Sequence, residues 1–234
     1  MSWVLANLPT IAGHLLAHLL QAVPAIIASF VLAIPIARLA RVARPLRAVL
    51  VTGSSLLYAV PSLALFVILP IILATGIRDP LNVIVALTLY GLALLVPATA
   101  DALDAVDARV LDAATAMGMG RLRRFLTVEL PLAGPAILTG LRVVTVSTIS
   151  LTTVGAVLGV RSLGWLFTDG FQRGITAEIV TGLVATAALA LVLDGLVLAL
   201  GRLCLPWTWK RVGTSGAAVA GVGAATSGSQ EGKA

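Results

Sequence analysis

Long runs of Leu, Val, Ala and Ile alternate along the chain with short polar stretches. The runs lack the strict apolar and polar alternation of barrel strands, so they predict helices. At a rise of ~1.5 Å per residue, about 20 apolar residues cross the ~30 Å hydrocarbon core of a bilayer. Five spans of about that length or more are predicted, over residues 11–37, 48–74, 81–100, 132–160 and 179–200. A lead at 1–10 carries Trp3 as an interfacial anchor. One membrane domain then occupies 11–211. The tail at 212–234 is rich in Gly, Ala and Ser without a core-forming pattern and is expected to be disordered.

Composition fixes the class. The 234 residues are 59% hydrophobic and only 11% charged, with a mean hydropathy of +1.06. A soluble domain of this size could not hide that much apolar surface, so the expected fold class is an all-α integral membrane protein. The net charge of +6 does not signal nucleic acid, because the basic residues sit at the ends of apolar spans. Of 16 Lys and Arg residues, four (Arg38, Arg41, Arg44, Arg47) lie in the first connection and four (Arg109, Arg121, Arg123, Arg124) in the central one. Four more (Arg202, Lys210, Arg211, Lys233) follow the last span, and three (Arg78, Arg161, Arg173) lie in the other connections. The positive-inside rule then places the N-terminus outside and the C-terminus in the cytoplasm. The lone Cys204 excludes an internal disulfide. No basic residue precedes Arg38, so no cleaved signal peptide is expected.

Polar residues inside the spans are the candidates for chemistry. Pro61 removes a backbone donor in mid-span, so a kink is expected, with Ser62 as one partner for the freed carbonyl. The fourth span is the most polar, and Ser147 and Thr148 belong to a hydroxyl-rich run that either faces water or solute or simply packs. Gly155 and Gly159 are spaced to admit a neighbouring helix. Arg142 and Asp194 lie at matching depths, roughly 16 Å and 12 Å from the same interface, and are expected to pair as a structural ion pair. His14 and His18 sit one turn apart without a third ligand, which predicts capping of the outer helix end and no metal site. The aromatic residues of 161–178 are expected to lie in the outer interface.

No constellation supports catalysis. There is no phosphate-binding loop, nucleophile elbow or paired-histidine zinc helix, so no catalytic residue and no cofactor are assigned to this chain. An intramembrane enzyme would need acids, bases or metal ligands clustered at one depth. A passive scaffold remains a remote alternative.

The central polar stretch, 112–131, is the most informative. It predicts two short helices within about 108–130, bent at Gly118 and Gly120, the second ending at Pro131. Small residues at Ala113 and Ala114 suit a contact face that another protein approaches closely. Asp101, Asp104 and Asp107 form an acidic face just before it. Taken alone, the stretch could also be a basic amphipathic helix on the membrane surface. Its spacing, however, resembles the coupling motif of bacterial ABC importer permeases: Glu-Ala-Ala, three residues, Gly, nine residues, Ile-x-Leu-Pro. Asp112, Ala113, Ala114, Gly118, Val128, Leu130 and Pro131 occupy the matching places, with Asp for Glu and Val for Ile. Pro61-Ser62-Leu63-Ala64-Leu65 is similar to the corresponding segment of permeases for glycine betaine, choline and carnitine, whereas Arg161-Ser162-Leu163-Gly164 departs from the usual Gly-Gly-Leu-Gly.

The resemblance implies a type I importer permease in a bacterial cell membrane, moving osmoprotectants or, alternatively, another small solute such as an amino acid. It also implies a cytoplasmic ATP-binding subunit that carries ATP and Mg. An extracytoplasmic substrate-binding protein and a second permease copy, identical or related, would complete the assembly.

Overall fold

The computed structural model describes residues 2–42 and 44–208, and the predicted tail at 212–234 lies outside them. Among the described residues the regular structure is helical, with no strand. A short α1 (Ser2–Ala6) leads into α2 (Leu8–Val42), followed by α3 (Arg44–Ala59), α4 (Ser62–Leu73) and α5 (Pro80–Asp104). The central connection holds α6 (Ala108–Ala116) and α7 (Arg121–Arg124), and the chain continues through α8 (Leu130–Thr152), α9 (Trp165–Arg173) and α10 (Thr176–Cys204).

Helix α5 is the axis of the bundle, packed by α2, α3, α4 and α8. Its start is defined by the Asp79 side chain, which accepts from the Leu81 N–H, with Pro80 at the first helical position. A stripe of small residues on α2, comprising Ala22, Ala25, Ser29, Ala33, Ala37 and Ala40, is entirely buried. These positions recur every three or four residues and let the backbones approach closely. Ser29 shows how closely: a Cβ built on Gly91 of α5 would meet its Oγ at 2.1 Å. That hydroxyl donates to the Ala25 and Thr88 carbonyls, so the contact leaves no polar atom stranded.

The core clusters give the helix directions. Ala25 packs with Val83, Leu87 and Val160 at one end, and Ala37 with Ala100, Leu103, Phe125 and Ala133 at the other. Thus α2 runs parallel to α5 and α8 antiparallel to it. The central connection lies at one end of the bundle and the 75–79 and 159–164 turns at the opposite end. Burial falls steeply outward, from 56% of the α5 span to 6% of α10, which leaves α10 an apolar surface for lipid or neighbouring chains.

Several elements differ from their expected form. The helix around the first span runs from Leu8 to Val42, beyond the expected 11–37. Four helices are long and apolar enough to cross a membrane alone, and a fifth span requires joining α3 to α4. That pair bends by 108°, far more than a proline kink within one continuous helix. The carbonyl that Pro61 leaves without its helical donor, that of Leu57, accepts instead from the Val60 N–H at 3.2 Å, not from Ser62. The Val60 carbonyl at the break accepts from the Tyr90 hydroxyl of α5 at 2.6 Å. Leu65, Phe66 and Leu69 then fold α4 across the first half of α5. The fourth span ends as an α-helix at Thr152, with a 3-10 turn at Thr153–Leu158 stopped by Gly159 in the left-handed region, φ 80°.

The connection at 161–178 is packed on one side and open on the other, with Phe171 80% exposed. Leu163 and Leu166 are fully buried, and α9 packs against α10. His14 and His18 are likewise buried rather than capping. His14 stacks on Trp165 with ring centroids 4.6 Å apart, and His18 Nδ1 accepts from the Leu163 N–H. The apolar surface buried around these rings offsets the cost of His14 Nδ1 and His18 Nε2, which are buried without a hydrogen-bond partner.

Tyr90→Phe would leave the Val60 carbonyl without its donor in an apolar surrounding, a loss of about 1–3 kcal/mol. Thermal unfolding of the purified protein in lipid should move down by several degrees, and an unchanged transition would remove the hydroxyl from the account of the break.

Candidate functional site

The central connection forms two arms around a tight turn. Asp107 caps α6 by accepting from the Arg109 N–H at 2.9 Å. Leu111 and Ala114 point inward, while Asp112 and Ala113 are exposed on the opposite face. The helix closes with paired reverse bonds, Gly118 N–H to the Thr115 carbonyl and Met119 N–H to the Ala114 carbonyl. This closure needs a left-handed residue, which Gly118 supplies at φ 78°. A Cβ built on Gly118 meets nothing within 4 Å, so the turn stands clear of its own chain.

The second arm does not end at Pro131. Helix α7 passes through a π-helical turn, Phe125–Glu129, directly into α8. Leu130 N–H bonds to the Phe125 carbonyl, five residues back. The wider turn just before Pro131 takes up the missing proline donor and the bulk of its ring, so the helix continues instead of breaking. Leu130 and Pro131 are therefore the first residues of the span, and the second arm is continuous with it.

A charged clamp fastens these arms to the bundle. Glu129 retains only 8% side-chain exposure, and its Oε2 accepts from Arg41 Nη1 at 2.8 Å while Oε1 accepts from Arg124 Nε at 2.9 Å. Arg124 also donates to the Thr115 hydroxyl at 2.8 Å, tying α7 to α6. Arg41 reaches Asp104 at 3.3 Å, and Asp104 also accepts from Arg47. Arg38 lies 4.2 Å above the Phe125 ring. The acidic face expected before the stretch is thus partly consumed: Asp104 is paired, while Asp101 and Asp107 remain exposed. Sequence reading missed Glu129, and the signal available was an acid between Val128 and Leu130 at the start of an apolar run.

Within the membrane region, Arg142 Nε and Nη2 donate to Asp194 Oδ1 and Oδ2 at 2.8 and 2.7 Å, a bidentate pair joining α8 to α10. The planar guanidinium matches the carboxylate, and each charge answers the other where water is scarce. Pro61 is exposed at the α3–α4 break with Ser62 half-buried beside it. On α8, Thr148 is buried and Ser147 half-buried. Much of the hydroxyl run is satisfied within its own helix, as in Thr145 to Leu141 and Thr152 to Thr148. The structure thus joins Arg142 to Asp194 and the two arms to each other. The Pro61 break meets Tyr90 of α5, and Ser147 and Thr148 sit on a different helix.

Long helices packed around α5, with a clamped two-arm connection at one end, define the membrane component of an ABC importer. The fold is that of a solved inward-facing MetNI methionine ABC transporter structure, at a TM-score of 0.73 and 20% identity, covering 83% of this chain and 95% of that one. The chain belongs to the family of binding-protein-dependent transport system inner membrane components, which matches residues 25–209. It is 29% identical over 178 residues to the glycine betaine/carnitine/choline transport system permease protein of Bacillus subtilis (strain 168), covering 76% of each chain. It is 33% identical over 151 residues to the ergothioneine transport permease/ergothioneine binding protein of Helicobacter pylori (strain G27), covering 64% of this chain. The match spans only 27% of that longer relative.

Asp194→Asn leaves the Arg142 charge without its counter-ion, so thermal stability in lipid should fall by several degrees. The double variant Arg142→Met with Asp194→Leu should recover most of the loss, because replacing both charges with apolar groups removes the unpaired ion. Equal loss in single and double variants would show that the pair does not act as a unit.

Gly118→Ala and Gly118→Trp should both lower stability by about the same 1–2 kcal/mol, the cost of a left-handed L-residue, since open space receives either side chain. Matching melting curves for the two variants would check this, and a much larger loss for Trp would show a local clash.

Proposed function

We propose that this chain is the permease subunit of an ATP-driven importer for small quaternary-ammonium osmoprotectants: glycine betaine, choline or carnitine. The observation that carries the coupling role is the Glu129 clamp, which fastens an exposed small-residue face to three helices of the membrane bundle. Asp112 and Ala113, with the Gly118 turn, dock into a groove of a cytoplasmic ATPase. Ala114, Leu130 and Pro131 seat the two arms. ATP and Mg belong to that partner, and this chain performs no hydrolysis. The central connection faces the cytoplasm and the N-terminus lies outside, in line with the charge asymmetry.

ATP binding draws two such docking surfaces together, one from each permease copy. The movement passes through Arg124, Glu129 and Arg41 into α8 and α2, opening the pathway alternately to each side. An extracytoplasmic binding protein supplies the solute. The Pro61–Ser62 break and the Ser147–Thr148 face of α8 are the proposed pathway elements, while Arg142 and Asp194 hold α8 to α10 during the movement.

The substrate class rests on relatives named for glycine betaine, carnitine, choline and ergothioneine. All are small solutes bearing a trimethylammonium group. The test is uptake of labelled glycine betaine, choline and carnitine at high osmolarity by transporter-deficient cells expressing this chain with its ATPase and binding protein. Accumulation is expected with the native chain, and Gly118→Trp should reduce it at least tenfold while remaining assembled in the membrane. ATP hydrolysis without accumulation of any of the three would reject the osmoprotectant reading and leave the importer reading standing.

A further inference from the structure

At the end of the bundle opposite the clamp lies a cavity of about 420 Å³, lined in part by Arg78, Gly159, Trp165, Thr168, Asp169 and Gln172. Its volume falls within the ~300–1,000 Å³ common for small-molecule sites. Three segments meet there: the turn before α5, the end of the 3-10 turn with Gly159, and α9. None of these residues takes part in the coupling clamp, and the intramembrane pair lies elsewhere.

The lining side chains are held from behind. Trp165 is stacked on the buried His14 with an interplanar angle of 8°, which fixes the indole plane. Asp169 Oδ2 accepts from Arg173 Nη1 at 3.0 Å, one turn along α9, with its side chain still 20% exposed. Arg78 passes against Gly159, where a Cβ would stand 3.0 Å from its Nε. Gly159 is therefore required twice, by its left-handed backbone at φ 80° and by the passage of the guanidinium. The cavity thus presents a guanidinium, a carboxylate and an aromatic ring, with a hydroxyl and an amide beside them.

We propose that this cavity is a receiving site for a zwitterionic solute, in which Trp165 and Asp169 face its quaternary ammonium and Arg78 its carboxylate. An aromatic ring and an anion together suit a cation that has no N–H to donate. A guanidinium suits a carboxylate. The identity of the solute rests on the osmoprotectant reading above, and the charge pattern of the cavity adds a distinction that reading does not contain. Glycine betaine and carnitine carry the carboxylate that Arg78 recognises, whereas choline does not. The site holds solute briefly between the binding protein and the pathway.

The test uses the permease with its ATPase partner in lipid nanodiscs, without the binding protein, titrated with glycine betaine and separately with choline by saturation-transfer NMR. Arg78→Gln should weaken glycine betaine binding about tenfold, the loss of one charge-assisted contact, and leave choline within about twofold. Arg78→Lys keeps the charge and should retain most of the glycine betaine affinity. Unchanged choline binding also reports that the variant is folded. Equal weakening of both solutes would mark a general disturbance of this end of the molecule and overturn the proposal, as would glycine betaine binding untouched by Arg78→Gln. Absence of binding of either solute to the native complex would overturn it as well. Failure of native cells to accumulate any of these solutes would instead strike the substrate reading, and the binding measurement would still decide the cavity.

Discussion

A carboxylate with 8% of its side chain exposed cannot remain charged without partners, and Glu129 has two. Arg41 comes from the last turns of α2 and Arg124 from α7, so one acid makes two distant segments a single body. Arg41 also contacts Asp104 at the end of α5, which extends the tie to the central helix. Because the π-helical turn runs into α8 without interruption, displacement of the connection displaces the start of α8 as well. A flexible loop would absorb a push at its tip. A clamped one transmits it, which is the property the proposed coupling role demands.

The bundle that receives this push is held by close approach as well as by bulky packing. Alanines and Ser29 on α2 let its backbone meet α5, and Gly140 brings α8 within 3.2 Å of Leu95 and Ala98, measured to a built Cβ. In a bilayer the lipid is as apolar as a leucine side chain, so contact area alone drives little association. Small residues gain stability through extensive van der Waals contact. Leu87, Leu95 and Leu103 of α5 fill the space between these contacts, while Leu183, Leu191 and Leu203 of α10 are exposed on the outside, where lipid can cover them.

The same reasoning explains what could be read in the sequence. Apolar run lengths reveal long helices because the bilayer thickness demands them, and the Arg142–Asp194 pairing was legible because few charges sit at that depth. The turn at Gly118 was legible because glycine marks a left-handed closure. Other features depend on residues distant in sequence. Nothing near Pro61 announces Tyr90, thirty positions from Val60, so a kink was expected where the chain turns through 108°. Pro131 read as a stop because proline usually ends a helix, yet a π turn accommodated it. Glu129 escaped attention because its role depends on arginines from two other segments, and no local pattern records that meeting.

Helices α5 and α8 each run between the two polar ends of the molecule. The turn before α5 carries Arg78 and its far end carries Asp104. The π turn at the start of α8 carries Glu129, and the loop beyond its 3-10 turn carries Gly159. That loop is tightly closed: a Cβ on Gly164 would lie 2.1 Å from the Thr153 carbonyl oxygen, so the 153–164 segment cannot slacken without repacking. A shift of α8 driven from the clamp therefore reaches a wall of the opposite cavity instead of dissipating in a loose connection. On the proposed functions of the two ends, the power stroke and the receiving site share one rigid element. Solute reception and partner-driven movement then become coupled by geometry alone, without any residue that belongs to both sites.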